Sequence, residues 1–508
     1  MPEADTDVLI VGAAPTGLTL ARELQLAGVR TIVLERLPEP RVIPKAGGLG
    51  GQTLEMLRHR GLLERFEAAS GKPPHAAIPL RRLARRLTRL ADNPMQAPLL
   101  PQPRMESLLE DLARELGAEI RREHELVGLS QDQAAVTTDV RGPAGPYRIT
   151  ARYLVGCDGA HSRVRAMAGI AFPGTTHPEV NRLGSFAMPD SVTLLDDGNY
   201  EIAGLGRAPF GYTQTDRGVF AISSYTPTDL GLYTSEEEAD PNEYDDEPLT
   251  VPEFEESIQR VLGVRIPLRE PTRMTRFTFH ARHVERYREG RILVAGDVAH
   301  LFPSGGVAVN AGMLDAVNLA WKLAAEIGGW APDRLLDTYH DERHFAGTRT
   351  LLHTQAQVAR RPGLDSADDA LREVVSELLL DEPARHRIGA MIAGADIRYP
   401  MPGFGPNALA GTFATAGLAA DFLHAGRPVL LDLADRADLR DVARDWADRV
   451  ELHIVAVDDR PADAVLIRPD GYIARAATVD EPYDTATTGL RKSLTHWFGA
   501  APPVLSRS

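Results

Sequence analysis

Residues 7–11, Asp-Val-Leu-Ile-Val, run straight into Gly12-Ala13-Ala14-Pro15-Thr16-Gly17, and this junction limits the possible folds more than any other stretch. The apolar run reads as a short buried strand. Residues 16–27 then space Leu18, Leu20, Leu24 and Leu26 as a helix does, and Gly28 is a natural terminator. Residues 31–34 form a second apolar strand that ends at Glu35. Strand, helix and strand of these lengths make a βαβ unit.

The turn follows G-x-G-x-x-G except that Ala14 replaces the middle glycine. That glycine normally lets the backbone approach a pyrophosphate whose charge is met by the helix N-terminus. Ala14 adds one methyl group at that approach. Glu35 stands 18 residues beyond Gly17, where a carboxylate can accept hydrogen bonds from ribose hydroxyls. Taken alone, the turn also fits an α/β domain that binds nothing.

Two further segments repeat the strand-and-turn pattern. Residues 153–156 lead to Cys157-Asp158-Gly159, and a basic helix start follows at Ser162-Arg163-Val164-Arg165. Residues 291–295 lead to Gly296-Asp297, and Pro303-Ser304-Gly305-Gly306-Val307-Ala308-Val309-Asn310 opens a long helix. An aspartate at a strand end can present its carboxylate to a polyol. A glycine loop offers bare backbone to a flat ring, and the following helix directs N–H groups at developing negative charge. A helix cap alone would explain Asp297 but not the glycine loop behind it.

These three segments, in this order, resemble the FAD-dependent aromatic hydroxylases of the para-hydroxybenzoate hydroxylase type, in particular the branch that tailors aromatic polyketides. The resemblance covers essentially the whole chain. It implies an α/β fold: a Rossmann-like FAD-binding domain with an inserted antiparallel substrate sheet and a C-terminal thioredoxin-like domain. By the family's pattern Gly12, Ala14, Pro15, Thr16 and Gly17 meet the FAD diphosphate, Glu35 the adenosine ribose, and Arg36 the adenine end. Asp158 belongs to a motif associated with both FAD and nicotinamide. Gly296 and Asp297 match the motif that contacts the ribitol chain, and Pro303, Gly305, Gly306, Val307, Ala308 and Asn310 form the flavin loop. Gln102 opens a Q-x-x-x-E-x-x-L helix start whose glutamine reaches FAD, and Leu126 occupies a position that contacts adenine through its backbone.

The chain also departs from the pattern. Lys45 and Gln52, flanking a run of four glycines in five positions (47–51), stand where arginines are common, and a lysine point charge does not reproduce arginine's planar fork. The glycine run fits a mobile loop beside the flavin and fits a plain linker equally. Ser304 replaces a common proline, and Ala308 a glycine beside the ring. The expected reaction is insertion of one oxygen atom from O2 into a polycyclic aromatic or phenolic substrate with NADPH or NADH. Baeyer–Villiger insertion stays open because of Ser304 and Ala308. A non-oxygenating flavin reductase or dehydrogenase and a scaffold without turnover are the other readings. The cofactor carries the hard chemistry, so no residue is assigned as catalytic acid or base.

At 508 residues the chain exceeds the ~250–300 at which single cores stop growing, so several units are expected. The expected division is 1–180 and 274–398 for the FAD domain, 181–273 for the substrate sheet and 399–508 for the C-terminal domain. Phe210, Tyr212 and Gln214 sit on a candidate pocket strand, although each alone is better explained by packing. Residues 235–247 read as an acidic exposed loop. The Pro/Gly-rich residues 399–406 mark a boundary, with strands at 429–432, 452–457 and 464–467 and a hairpin turn at Asp470-Gly471. Cys157 is the only cysteine, which excludes a disulfide within the chain, a Cys-based metal site and thiol redox work by the C-terminal domain. That domain is therefore read as support or subunit contact, in a monomer or homodimer.

A net charge of −15 argues against nucleic acid and anionic membranes. The basic cluster 81–89 reads as the solvated side of a helix. The acidic start at Glu3, Asp5 and Asp7 is unlike a signal peptide, and no apolar run approaches the ~20 residues a bilayer requires. A cytoplasmic enzyme with a small-molecule aromatic substrate and no metal is the expectation.

Overall fold

The computed structural model describes residues 4–40, 48–70, 75–76, 96–97, 100–224, 228–238, 248–303, 306–359, 370, 373–375, 377–401, 408–455 and 459–501. Thr6–Val11 forms the central strand its apolar run dictates, with Val8, Leu9 and Ile10 wholly buried. It pairs in parallel with Thr31–Glu35 on one side and with the second half of Gly145–Gly156 on the other. Glu119–Arg122 extends the sheet beyond Thr31–Glu35, and Ile292–Val294 extends it beyond Gly145–Gly156. Helices Pro15–Leu26, Gln102–Glu115 and Ala308–Ile327 bury their apolar faces in one core against this sheet. Strands buried on both faces need no alternation, which is why these read as unbroken apolar runs.

The register decides where chemistry can occur. Val11 lies abreast of Leu34 and of Gly156, and Gly156 abreast of Val294. Three strands therefore end together, and the turns at Gly12, Cys157 and Ala295 leave from the same edge. The crevice outside the carboxyl ends of such strands is where open α/β sheets bind ligands.

A six-stranded antiparallel sheet runs in the order Gly211–Thr215, Gly218–Ser223, Asp229–Glu237, Gly174–Ala187, Arg273–His283, His300–Leu301. Helix Val251–Leu262 covers one face, packing Phe254, Ile258 and Val261 on Phe186, Phe220, Ile222, Leu230 and Leu232. Two of these strands straddle the expected boundaries at 181 and 273. Gly174–Ala187 starts before the first, and Arg273–His283 runs on past the second.

In the C-terminal unit Val429–Asp432 pairs in parallel with Glu451–Ile454 and antiparallel with Ala464–Ile467, which pairs antiparallel with Ile473–Ala477. The spatial order is second, first, third, fourth, with helix Ala437–Ala443 as the crossover and Tyr483–Phe498 closing the unit. This is the thioredoxin arrangement without its cysteines. Of the strand expected at 452–457, the structure forms Glu451–Ile454 and leaves Val455 irregular, while residues 456–457 lie outside the described ones. No helix among the described residues is long and apolar enough to cross a membrane.

Candidate active site

The first turn is built by close backbone approach. Gly12 has φ +110°, and a methyl group there would lie 2.3 Å from the Cys157 carbonyl oxygen. One on Gly17 would lie 2.0 Å from the Gly12 carbonyl oxygen. Ala14, by contrast, is the N-cap of helix Pro15–Leu26 with φ −93° and ψ 177°, extended backbone that any residue adopts. The missing glycine is thus accommodated without strain. No side chain caps this helix, so its first N–H groups face outward from the strand edge.

Glu35 works on the turn itself. Its carboxylate accepts the Ala13 N–H at 2.9 Å and the Leu37 N–H at 2.9 Å, so it braces the turn from the neighbouring strand. Arg36 beyond it is exposed.

The third segment lies against the first. A methyl group on Gly296 would come 2.6 Å from the Thr16 hydroxyl, and one on Gly312 2.3 Å from it. The start of helix Pro15–Leu26 and the Gly296–Val298 turn are thereby wedged together. Asp297 is exposed, although Gly296, Val298 and Ala299 around it are buried. A carboxylate standing out of a buried turn at the strand edge is placed for a polyol. Val307 caps helix Ala308–Ile327 with no side-chain hydrogen bond. Asn310 clamps the loop, accepting the Gly50 N–H at 2.9 Å and donating to the Gly306 carbonyl at 2.7 Å. Two helix N-termini without side-chain caps, one outward carboxylate and glycines with no room for a Cβ form a donor and acceptor set that fits FAD.

The other expected residues make the following contacts within the chain. The Asp158 carboxylate turns onto its own loop, accepting from the Ser162 hydroxyl at 2.5 Å and the Arg163 N–H at 2.8 Å, and so starts helix Arg163–Met167. Gln52, expected at the cofactor, is buried and accepts the Tyr472 hydroxyl from the C-terminal unit at 3.3 Å. Gln102 donates to Glu106 at 2.7 Å within its own helix. Leu126 is buried, and its carbonyl accepts from Arg163 at 3.4 Å. Pro303 is buried. Lys45, Ser304, Gly305, the basic cluster 81–89 and residues 239–247 of the acidic run lie outside the described residues.

Sequence reasoning missed two buried charge networks along helix Ala308–Ile327. Asp315, fully buried, accepts the Gly296 N–H at 2.9 Å, His300 Nε2 at 2.8 Å and Arg343 Nε at 2.6 Å. Burial alone would raise its carboxyl, but the charges of Arg343 and His300 prevail and hold it at about 2. Two turns on, Lys322 Nζ meets Glu342 at 2.8 Å, and Arg468 meets Glu342 at 2.5 Å and Asp470 at 2.5 Å. Asn318 donates to both carboxylates. Burial opposes the charged form of Glu342 too, yet Arg468 and Lys322 hold it at about 2. The available signal was Asp315, Asn318 and Lys322 within a largely apolar helix.

Beside the loop, His283 stacks on His344 at 4.4 Å and meets Tyr287 at 2.9 Å. Burial first, then the neighbouring His300 and His344, push His283 down to about 3. Burial likewise takes His59 to about 3 and His353 to about 4. The unfolded chain protonates these imidazoles near their usual 6.5 while the folded one resists until far lower pH. Stability therefore falls as pH drops below 6.5, by at most about 1.4 kcal/mol per pH unit for each histidine. Asp315 and Glu342 add their loss as pH falls from about 4.5 towards 2, since their folded values lie below the unfolded ones. Urea midpoints should decline steadily from pH 7 to 5; a flat profile there would contradict the burial of these rings.

Comparison with known proteins agrees with this geometry. Residues 5–354 match the FAD binding domain family, and residues 405–501 match the aromatic-ring hydroxylase C-terminal family. A 12-dehydrotetracycline 5-monooxygenase/anhydrotetracycline 6-monooxygenase from Streptomyces rimosus is 38% identical, over 98% of this chain and 99% of its own length. A dialkyldecalin synthase from Streptomyces rugosporus is 36% identical over 97% and 99%. The solved anhydrotetracycline hydroxylase of Streptomyces rimosus superposes with a TM-score of 0.84 at 37% identity, covering 98% of this chain and 100% of that one. The chain belongs to the FAD-dependent aromatic-ring hydroxylase family and is a monooxygenase.

Proposed function

We propose that the chain inserts one oxygen atom from O2 into a polycyclic, polyketide-type aromatic substrate in the cytoplasm, using NADPH or NADH. The observation that carries this reading is the aromatic face of the six-stranded sheet, opposite helix Val251–Leu262. Strand alternation puts Met274, Arg276 and Thr278 toward helix Val251–Leu262, where Arg276 pairs with Glu253. Arg273, Thr275, Phe277 and Phe279 then face the other way. By the cross-strand register Tyr212, Ala221, Tyr233, Leu183 and Thr275 form one row on that face.

Tyr212 and Tyr233 meet edge to face at 5.6 Å, and Phe277 and Phe279 at 5.4 Å. Tyr212 is 48% exposed, a large aromatic surface for a lone chain to leave in water. His300–Leu301, which leads toward the flavin loop, is the last strand of this sheet and pairs with Arg273–His283, the strand that carries Phe277 and Phe279. A flat apolar substrate laid on the shelf displaces water and presents its edge to the flavin.

Bound FAD supplies hydride acceptance from the nicotinamide and activation of O2. The chain's own part is to hold it. The helix start at Pro15, Thr16 and Gly17 suits the diphosphate, Asp297 the polyol, and Gly306, Val307 and Ala308 the ring. Glu35 acts here through the turn it braces. No acid or base is required of the protein beyond orientation and exclusion of water.

The test is O2 uptake by the FAD-loaded protein with NADPH or NADH and a hydroxylated polycyclic such as anhydrotetracycline. Uptake in step with a product one oxygen atom heavier is expected. A lactone or ring-opened product reassigns the reaction to Baeyer–Villiger insertion. The dialkyldecalin synthase among the relatives favours a second reading, cyclisation without oxygen. A product of unchanged mass and no O2 uptake would establish that one and sink the first.

A further inference from the structure

We propose that Asp315 is a positioning residue for the flavin site: its carboxylate sets the turn carrying Asp297 from behind, and Arg343 with Tyr399 ties that setting to the C-terminal unit. The assignment rests on the reading that Asp297 and the loop after it hold FAD.

Three units of the fold converge on this one carboxylate. Oδ2 accepts the N–H of Gly296, the residue before Asp297, at 2.9 Å. The same oxygen accepts His300 Nε2 at 2.8 Å. His300 stacks on Phe302 at 4.6 Å, immediately before Pro303, and pairs with His283 at the edge of the substrate sheet. Oδ1 accepts Arg343 Nε at 2.6 Å, and Arg343 Nη1 donates to the Tyr399 hydroxyl at 2.8 Å. Tyr399 is held in turn by the C-terminal unit: its N–H donates to Gly411 at 2.9 Å, and its ring lies 4.2 Å from that of Tyr472.

The turn has nowhere else to rest. Gly296 adopts φ +67°, and its Cα side abuts the Thr16 hydroxyl. Thr16 therefore limits the turn from the front and Asp315 from behind. A displacement of the carboxylate moves Asp297 on one flank and residues 300–303 on the other. The Lys322–Glu342–Arg468–Asp470 network is just as buried, yet among the described residues its hydrogen bonds run to Asn318 and Tyr472 and none reaches the 296–303 segment. It is the matched control.

The experiment titrates the FAD-stripped full chain with FAD, following flavin fluorescence, and records the visible spectrum of the saturated holoenzyme. Asp315→Asn keeps the shape but turns an amide NH2 toward a donor. It should weaken FAD binding by about tenfold, the scale of one charge-assisted hydrogen bond, and shift the flavin band. Tyr399→Phe removes one hydroxyl, folds without a buried charge left over, and should weaken binding by about twofold with a smaller shift. Glu342→Gln should lower thermal stability while leaving the FAD affinity and spectrum as they were.

Equal losses of affinity in Asp315→Asn and Glu342→Gln, tracking their losses of stability, would overturn the positioning role. If Asp315→Asn does not fold, an unchanged affinity and spectrum in Tyr399→Phe overturns it. Asp297→Ala separates the two levels. Unchanged FAD affinity in that variant topples the site assignment itself, whereas weakened binding there with none in Asp315→Asn topples only the role of Asp315.

Discussion

Gly17→Ala is expected to strip the purified protein of FAD. The added methyl group would stand 2.0 Å from the Gly12 carbonyl oxygen and 3.3 Å from Cys157 Cβ. The first of these is backbone and cannot swing aside. Gly12 cannot retreat either, since its N–H is bonded to the Leu34 carbonyl at 2.8 Å and its own Cα faces the Cys157 carbonyl. The start of helix Pro15–Leu26 must therefore move outward by roughly 1 Å, at the ~1–3 kcal/mol typical of overpacking. The same shift carries Thr16 away from Gly296 and Gly312, so the turns at Gly12 and Gly296 separate together. The ratio of flavin to protein absorbance after purification, with an FAD titration of the stripped chain, measures the effect. Wild-type affinity in this variant would mean that the first turn does not hold the cofactor.

Arg468→Met should give the largest loss of stability of any single substitution considered. Arg468 has no exposed surface, is shared by Glu342 and Asp470, and lies 4.4 Å from the Trp497 ring. Removing it leaves two buried carboxylates with Lys322 as the remaining cation of the network. Breaking a buried pair in this way costs about 3–5 kcal/mol, mostly as the penalty of uncompensated charge. Neutralising Asp470 as well, in Arg468→Met with Asp470→Asn, leaves Lys322 paired with Glu342 and should return most of that loss. Urea unfolding of both proteins distinguishes the explanations. If the double variant is no better than the single one, the packing of Arg468 against Trp497 matters more than its charge.

The parts legible in the sequence were those whose physics is local. A strand end that must meet a second backbone, as at Gly12, or the Thr16 side chain, as at Gly296, needs glycine at that position, and the need is visible in a six-residue window. The C-terminal strands at 429–432 and 464–467 were likewise readable from short apolar runs, and the turn after them from Asp470-Gly471, whereas their thioredoxin-like arrangement followed from the family resemblance. What the window hides is pairing over distance. Arg468 and Glu342 are 126 residues apart, and Asn318 and Asp470 are 152 apart. Nothing near Asp315 indicates that its partners are a backbone N–H, His300 and an arginine on another helix. Direction is also hidden: Asp158 stands in a strand-end turn as Asp297 does, yet the hydroxyl of Ser162 draws its carboxylate inward. The strands beginning at Gly174 and ending at His283 overran their expected limits because sheet pairing, rather than composition, decides where they stop.

Helix Ala308–Ile327 begins at the flavin loop and is gripped through Asn318 and Lys322 by groups that include Arg468 and Asp470. A recombination event that replaced residues 405–501 with an unrelated module would deliver Lys322 and Glu342 to a partner lacking Arg468 and Asp470. The two family segments are thus not interchangeable parts, despite the proline-rich seam that joins them. Divergence along this lineage has to proceed by paired exchanges of charge on both sides of that seam.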